Sequence, residues 1–332
     1  MDELCFYNRE EAILRMNHLG SLGKKFFFLV NFDETECLVE ELNKIPSGRL
    51  SFVFPEIRSV SCSTSGTTMP KNLIWNSFPQ SFEEYSQSFD LVYKNLYAGN
   101  SFLTNLTCAT PVHTNLSLKQ VFMYASAKYK LLLDNRFVVF SPEIFIRIKD
   151  DYIYSYPMKG TIDASLPDAS ARLLNDEKES AEHATITDLI RNDLSQIATE
   201  VTVTRYRYLD ELKTHCGTLL QMSSEIRGRL PDNYCEELGT LFFKLLPAGS
   251  ITGAPKKKTV DIIREAETYE RGFYTGVMGY FDGKNLDSAV LIRFLEQTEN
   301  GLVYKSGGGI TFQSDARSEY EEMIRKVYVP IY

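Results

Sequence analysis

Apolar positions along this chain recur in two rhythms, one of helices and one of strands, and the two alternate. Helical spacing first marks Glu10 to Leu19. A clearer helix follows, in which Phe82, Tyr85, Phe89, Val92, Tyr93 and Leu96 form one apolar stripe. Ser81 with Glu84 predicts a capping box at its start, and Gly99 suits the residue just past its end. Strand patterns cover Lys25 to Phe32, Leu50 to Phe54 and Ser101 to Pro111, with a Ser- and Thr-rich loop at Ser59 to Met69. After a helix at Ser117 to Lys128, three strands follow closely: Leu131 to Leu133, Arg136 to Phe140 and Ile144 to Lys149. Asp150-Asp151 turns the chain into the alternating run Asp151 to Tyr156.

Leu166 to Leu194 reads as two helical pieces broken near Asn175-Asp176, then Val201 to Leu209 and His215 to Gly228 as strands. Tyr234 to Leu246 is helical, and the segment Pro247 to Lys256 opens another helix reaching about Tyr269. Phe273 to Phe281 and Leu286 to Glu296 form strands around Asp282-Gly283, and Leu302 to Lys305 is a short strand. Ala316 to Tyr328 is the closing helix. Strands in such close succession predict antiparallel sheet in an α+β protein rather than a doubly wound series. Residues 1–60 read as a small preface to the same unit, so one domain spanning 1–332 is expected.

Composition narrows the possible functions. The 332 residues are 43% hydrophobic and 24% charged, ordinary for a globular chain. The net charge of −8 argues against a nucleic-acid partner. No apolar run approaches a membrane span, and the acidic start Met1-Asp2-Glu3-Leu4-Cys5 is unlike a signal peptide, so a cytoplasmic location is expected. Cys5, Cys37, Cys62, Cys108, Cys216 and Cys235 are scattered without a CxxC pair and read as reduced thiols. With only four histidines, any metal would sit on oxygen ligands, which suits magnesium.

Candidate chemistry gathers at six places. Lys159 lies in Pro157-Met158-Lys159-Gly160-Thr161, where the proline is expected to end a strand and the glycine to allow a sharp turn. Glu179 and Glu182 are three apart on one predicted helix, and Glu319 and Glu322 repeat the spacing on another. Residues so spaced share a face, so the two helices either present four carboxylates to one magnesium ion or form two solvated acidic faces. The segment Gly249-Ser250-Ile251-Thr252-Gly253-Ala254-Pro255 places a proline for the first helical position, where backbone N–H groups bind anions, and Gly307-Gly308-Gly309 offers a second anion nest. Tight turns explain both glycine segments equally well. Arg293 follows the apolar run Ala289-Val290-Leu291-Ile292 and needs a partner, either a substrate carboxylate or a structural salt bridge.

Several of these stretches occur in one order. Ser141-Pro142-Glu143, Pro157 to Thr161, Glu182-His183 through Asp188-Leu189-Ile190-Arg191-Asn192-Asp193-Leu194, Pro247 to Lys256, Arg271-Gly272 with Gly276 and Gly279, Ile292-Arg293, and Gly307 through Ser314-Asp315 to Glu322 follow one another within about residues 80–330. In them the chain resembles the chorismate-utilising enzymes, most closely the aminodeoxychorismate synthases. The resemblance implies a chorismate-binding α+β fold, with two large, mostly antiparallel sheets facing each other and helices outside. It implies magnesium on Glu182 and Glu322, with Glu179 and Glu319 completing an acidic ring. Arg293, Lys326 and Gly307, Gly308 and Gly309 match contacts to substrate carboxylates. Glu143 matches the general acid for the departing C4 hydroxyl. Thr252 and Tyr274 fall at substrate-pocket positions, with Ser250, Gly253 and Thr161 beside them.

Lys159 separates the subfamilies, because the anthranilate synthases that resemble this chain carry a small residue there. An environment favouring its neutral amine would make it a nucleophile, whereas Glu143 as an acid needs the opposite shift. Leu103 stands where the family has Gln, or Lys in the water-using members, and cannot activate water. Gln221 replaces a common histidine, and Phe294 a common threonine. No tryptophan-binding motif is evident, and no cysteine nucleophile for glutamine hydrolysis. The implied partners are therefore chorismate and a separate glutamine amidotransferase subunit supplying ammonia. Anthranilate synthesis and a non-catalytic binding role are the competing readings.

Overall fold

The computed structural model describes residues 3–59, 68–214 and 217–331, so Cys62, Cys216, the middle of the expected 59–69 loop and the start of the expected strand at His215 lie outside the described residues. Two large antiparallel sheets face each other, of ten and nine strands among the described residues. The fold is the expected α+β type.

Phe26–Val30 shows why the strand rhythm reads as it does. It lies inside the first sheet, paired to Cys37–Glu41 on one side and Val277–Phe281 on the other. Phe27 and Leu29 point into the core between the sheets, with Phe52, Leu131, Phe137 and Val139 of the second sheet. Phe26, Phe28 and Val30 point the other way, under helices Arg9–Ser21 and Leu238–Lys244. A strand covered on both faces has no polar face to show, hence its unbroken apolar run. On the outer face of the second sheet, Leu106, Cys108 and Ile310 pack under helices Phe82–Tyr97, Lys256–Ala266 and Ala316–Arg325. Tyr85, Phe89, Val92 and Leu96 of the expected stripe are buried there, and the Ser81–Glu84 capping box is present.

Several boundaries differ from expectation, each for a local reason. The helix expected to Lys128 ends at Tyr124, because Tyr129 already begins a strand beside Leu50–Val53. The helix expected from Tyr234 starts only at Leu238. Pro255 caps its helix from outside rather than occupying the first helical position. Pro157 interrupts its strand without ending the ladder. Tyr152–Ser155 and Met158–Asp163 pair with successive stretches of Gly217–Arg229, and the Pro157 carbonyl between them accepts the Ser224 N–H at 3.0 Å. Lys159 is therefore in a strand, not in a turn. Gly160, at φ +72°, makes a bulge there, since Lys159 pairs with Met222 and Thr161 with Gln221.

The expected strand Leu286 to Glu296 is two strands. Leu286–Val290 belongs to the first sheet and Phe294–Thr298 to the second. The chain crosses between the sheets at Leu291 to Arg293, and Arg293 itself has φ +55°. The short strand expected at Leu302 to Lys305 runs over Gly301–Ile310, so Gly307, Gly308 and Gly309 are a flat strand and not a nest. They pair with Thr107, Leu106 and Asn105.

One buried ion pair ties these elements together. Arg271 and Glu267 side chains are each only 2% exposed, and their bond is bidentate at 2.8 and 2.6 Å. The same guanidinium donates to the Ile251 carbonyl at 3.0 Å and the Asn105 carbonyl at 2.7 Å. Removing one partner strands the other charge, so Arg271→Ala is expected to lower the unfolding free energy by about 3–5 kcal/mol. Denaturant titration checks this; a loss under about 1 kcal/mol would show that the pair is solvated.

Candidate active site

The crossover at Leu291 to Arg293 and the two interrupted strands open a cavity of about 590 Å³ between the sheets. Each part of its lining has a local cause. The glycine strand Gly301–Ile310 is the floor. A Cβ on Gly307 would fall 2.2 Å from the Leu106 carbonyl oxygen, so only glycine fits beside that strand. A Cβ on Gly308 would meet Glu319 at 3.3 Å and Glu322 at 3.5 Å, and one on Gly309 would meet Lys159 Nζ at 3.3 Å. The absent side chains are what let two acids and a lysine approach one strand.

Lys159 enters from the opposite sheet, aimed by the Gly160 bulge. Its Nζ lies 3.5 Å from Glu182 of the helix Glu177–Leu194. Gly160 is held just as tightly, since a Cβ there would meet Leu173 at 2.9 Å and Glu179 at 3.0 Å. From the closing helix, Glu322 pairs with Lys326 at 2.7 Å, Glu319 accepts from Ser314 at 2.8 Å, and Lys326 donates to the Gly307 carbonyl at 2.8 Å. Burial holds Lys326 below the ordinary lysine range, although Glu322 opposes it.

Glu143 is recessed in the wall. Burial raises its carboxyl above the ordinary range, against a hydrogen bond from Ser250 and the charges of Lys159, Arg293 and Lys326. Its acid form therefore persists to higher pH than a free carboxyl's. Arg293 stands over the Tyr328 ring at 5.7 Å and, among the described residues, joins no ion pair. Among the described residues no structural salt bridge accounts for this half-buried arginine.

Glu143, Lys159, Thr161, Glu179, Glu182, Ser250, Tyr274, Arg293, Gly307, Gly308, Gly309, Glu319, Glu322 and Lys326 all line this cavity. Thr252 and Gly253 do not. Thr252 is fully buried and its hydroxyl donates to the Ala248 carbonyl at 2.8 Å. Gly253 pairs with Thr104 and is pressed against the Leu103 carbonyl. The start of helix Lys256–Ala266 is thus spent on packing, and the Ser250 hydroxyl bonds Glu143.

Asn105 belongs to none of the motifs above. It lines the cavity, and its Oδ1 is buried without a hydrogen-bond partner among the described residues. Only its pairing opposite Gly309 reveals it. Ile186 and Ser306 also enter the lining, and Gln221, noted in the sequence only as a substitution, does too.

The four carboxylates are all-oxygen donors around a glycine cradle, which suits a hard cation. Among the described residues no three His, Cys, Asp or Glu side chains stand close enough to hold an ion as they are, since Glu182 leans to Lys159 and Glu322 to Lys326. The donor chemistry fits magnesium, and these two side chains would have to turn from their lysines.

Residues 29–331 match the family model for chorismate binding enzymes. The chain belongs to the chorismate-binding enzymes. A PabA-like protein of Pasteurella multocida is 49% identical over 96% of this chain and 98% of its own length. Aminodeoxychorismate synthase component 1 of Salmonella typhimurium is 31% identical over 74% of this chain and 56% of its own. The solved anthranilate synthase component I of Streptococcus pneumoniae superposes with a TM-score of 0.63 at 25% identity, covering 76% of this chain and 58% of that one. This chorismate-binding enzyme thus spans little more than half the length of these two synthases. No helix among its described residues is long and apolar enough to cross a membrane.

Proposed function

We propose that this chorismate-binding enzyme is an aminodeoxychorismate synthase component I, converting chorismate and ammonia to 4-amino-4-deoxychorismate. The observation that carries the reading is Lys159, aimed by a bulge into a cavity that also holds the recessed acid Glu143 and the guanidinium of Arg293, which joins no ion pair among the described residues. The kinship to a synthase of that name supports it.

In this reading Arg293 and Lys326 hold substrate carboxylates, the former bidentately. Magnesium, on Glu182 and Glu322 with Glu179 and Glu319 around it, would neutralise the ring carboxylate. The Lys159 amine, free of its proton, forms a bond to C2 as the C4–oxygen bond breaks, and Glu143 gives its proton to the departing hydroxyl, leaving water. Ammonia then bonds C4 and the C2–nitrogen bond breaks, returning the lysine. The incoming nitrogen sheds a proton, which restores Glu143. Proton transfer from a placed acid contributes on the order of 10²–10⁴-fold. Leu103, whose methyl group neighbours Gly309 outside the cavity lining, offers no base for water.

The ammonia comes from a separate glutamine amidotransferase subunit. Anthranilate synthesis is the second reading, favoured by the superposition on a synthase of that activity. Incubation of the chain with chorismate, magnesium and ammonium salt, with products identified by mass, separates the two. The expected product retains the enolpyruvyl group; anthranilate and pyruvate would overturn the proposal. Glutamine alone is expected to give no product until the amidotransferase is added.

A further inference from the structure

Glu143 faces two spaces. One is the main cavity. The other is a hollow of about 30 Å³ behind it, room for about one water, with Ser155, Asp193 and Leu245 in its wall. Ser250 stands between the two, in the single turn Gly249–Ile251, and its hydroxyl donates to Glu143 Oε1.

That turn is held from behind. Lys256 Nζ lies 2.7 Å from Asp193 Oδ2 and donates to the Leu245 carbonyl at 2.6 Å. Gly249 is packed so tightly on helix Glu177–Leu194, which carries Asp193, that a Cβ there would come 3.2 Å from Asp193 Oδ2 and 3.0 Å from Leu189. The ion pair thus grips both ends of the segment from Leu245 to Lys256, with Ser250 between them. Such a pair contributes little net stability compared with apolar packing, so a geometric role accounts for it better than a stabilising one.

We infer that Asp193 and Lys256 are positioning residues for the acid: they fix the turn that carries Ser250, and Ser250 fixes Glu143. A hydroxyl donating to Oε1 makes that oxygen the carbonyl of the acid, so the transferable proton sits on Oε2. The inference rests on the reading of Glu143 as the general acid. The charged groups facing Glu143 are Lys159, Arg293 and Lys326, and those facing the pair are Glu34 beside Lys256 and the two partners themselves.

The test is a double-mutant cycle followed by chorismate consumption, whichever product forms. Ser250→Ala is expected to lower kcat at least about tenfold with little change in the KM for chorismate, and Ser250→Thr to recover most of it. Losing this donor also moves the alkaline limb of the pH profile upward, because the hydrogen bond favours the ionised acid. Asp193→Asn alone should lower kcat, yet Ser250→Ala with Asp193→Asn should be no worse than Ser250→Ala, since both act through one contact. Near-parental kcat in Ser250→Ala, or effects that multiply, would overturn the inference. If Asp193→Asn fails to fold, Asp193→Leu with Lys256→Met replaces the pair by apolar packing and takes its place in the cycle. Infrared difference spectra provide a readout that needs no turnover. The protonated Glu143 carbonyl band, assigned with Glu143→Gln, should rise in frequency in Ser250→Ala, and an unmoved band refutes the contact. A parent that consumes no chorismate while the band moves would refute the proposed function and leave the Ser250–Glu143 contact standing.

Discussion

Lys159→Ala is expected to lose formation of 4-amino-4-deoxychorismate by on the order of 10³-fold or more, as removal of an acting nucleophile does. Chorismate binding should persist, because Arg293 and Lys326 stand on other elements and reach the cavity independently. The fold should persist too, since Lys159 projects into a wide cavity and its ion pair with Glu182 is a loose one at 3.5 Å. Lys159→Arg should not restore activity, because a guanidinium keeps its proton and cannot attack. Mass measurement of the intact protein, quenched with chorismate and no ammonia, distinguishes a nucleophile from a mere pocket residue. An adduct should appear in the parent and be missing in Lys159→Ala. Near-parental turnover in Lys159→Ala would reduce the lysine to a wall of the pocket and remove the main argument against anthranilate synthesis.

The second large effect concerns the acidic ring. Glu182→Gln and Glu322→Gln should each reduce turnover by more than about 100-fold, and a chelator should abolish activity that magnesium then restores. The two substitutions also free Lys159 and Lys326 from their partners, so activity alone does not isolate the metal. Calorimetric titration of magnesium into parent and variants, in the presence of chorismate, does isolate it. Binding heat in the parent that disappears in both variants supports the assignment; full turnover in excess chelator would sink it.

Local elements were legible in the sequence because their causes are local. The stripe from Tyr85 to Leu96 with its Ser81–Glu84 box, and the break at Asn175-Asp176, follow from spacing and capping within a few residues. So does the antiparallel, α+β character, which strands in close succession already imply. The carboxylate pairs were visible for the same reason, since residues at i and i+3 share a face whatever packs against them.

What the sequence alone could not decide depends on partners distant along the chain. Whether Pro157 ends a strand or interrupts it turns on Gly217–Arg229, about 60 residues later, whose Ser224 supplies the N–H that the Pro157 carbonyl accepts. Whether three glycines form a nest or a floor is decided by Leu103–Thr114, which leaves no space for a Cβ on Gly307. Arg293 looked like a strand residue because hydropathy reports burial and not which sheet does the burying; the crossing between sheets became visible only in three dimensions. Ser250 and Glu143 are 107 residues apart, and no periodicity joins them. The sequence by itself determined the elements and the kinds of chemical group available. Tertiary structure decided which groups meet, because the hydrogen bonds and van der Waals contacts that gather them act over a few ångströms and are blind to chain distance.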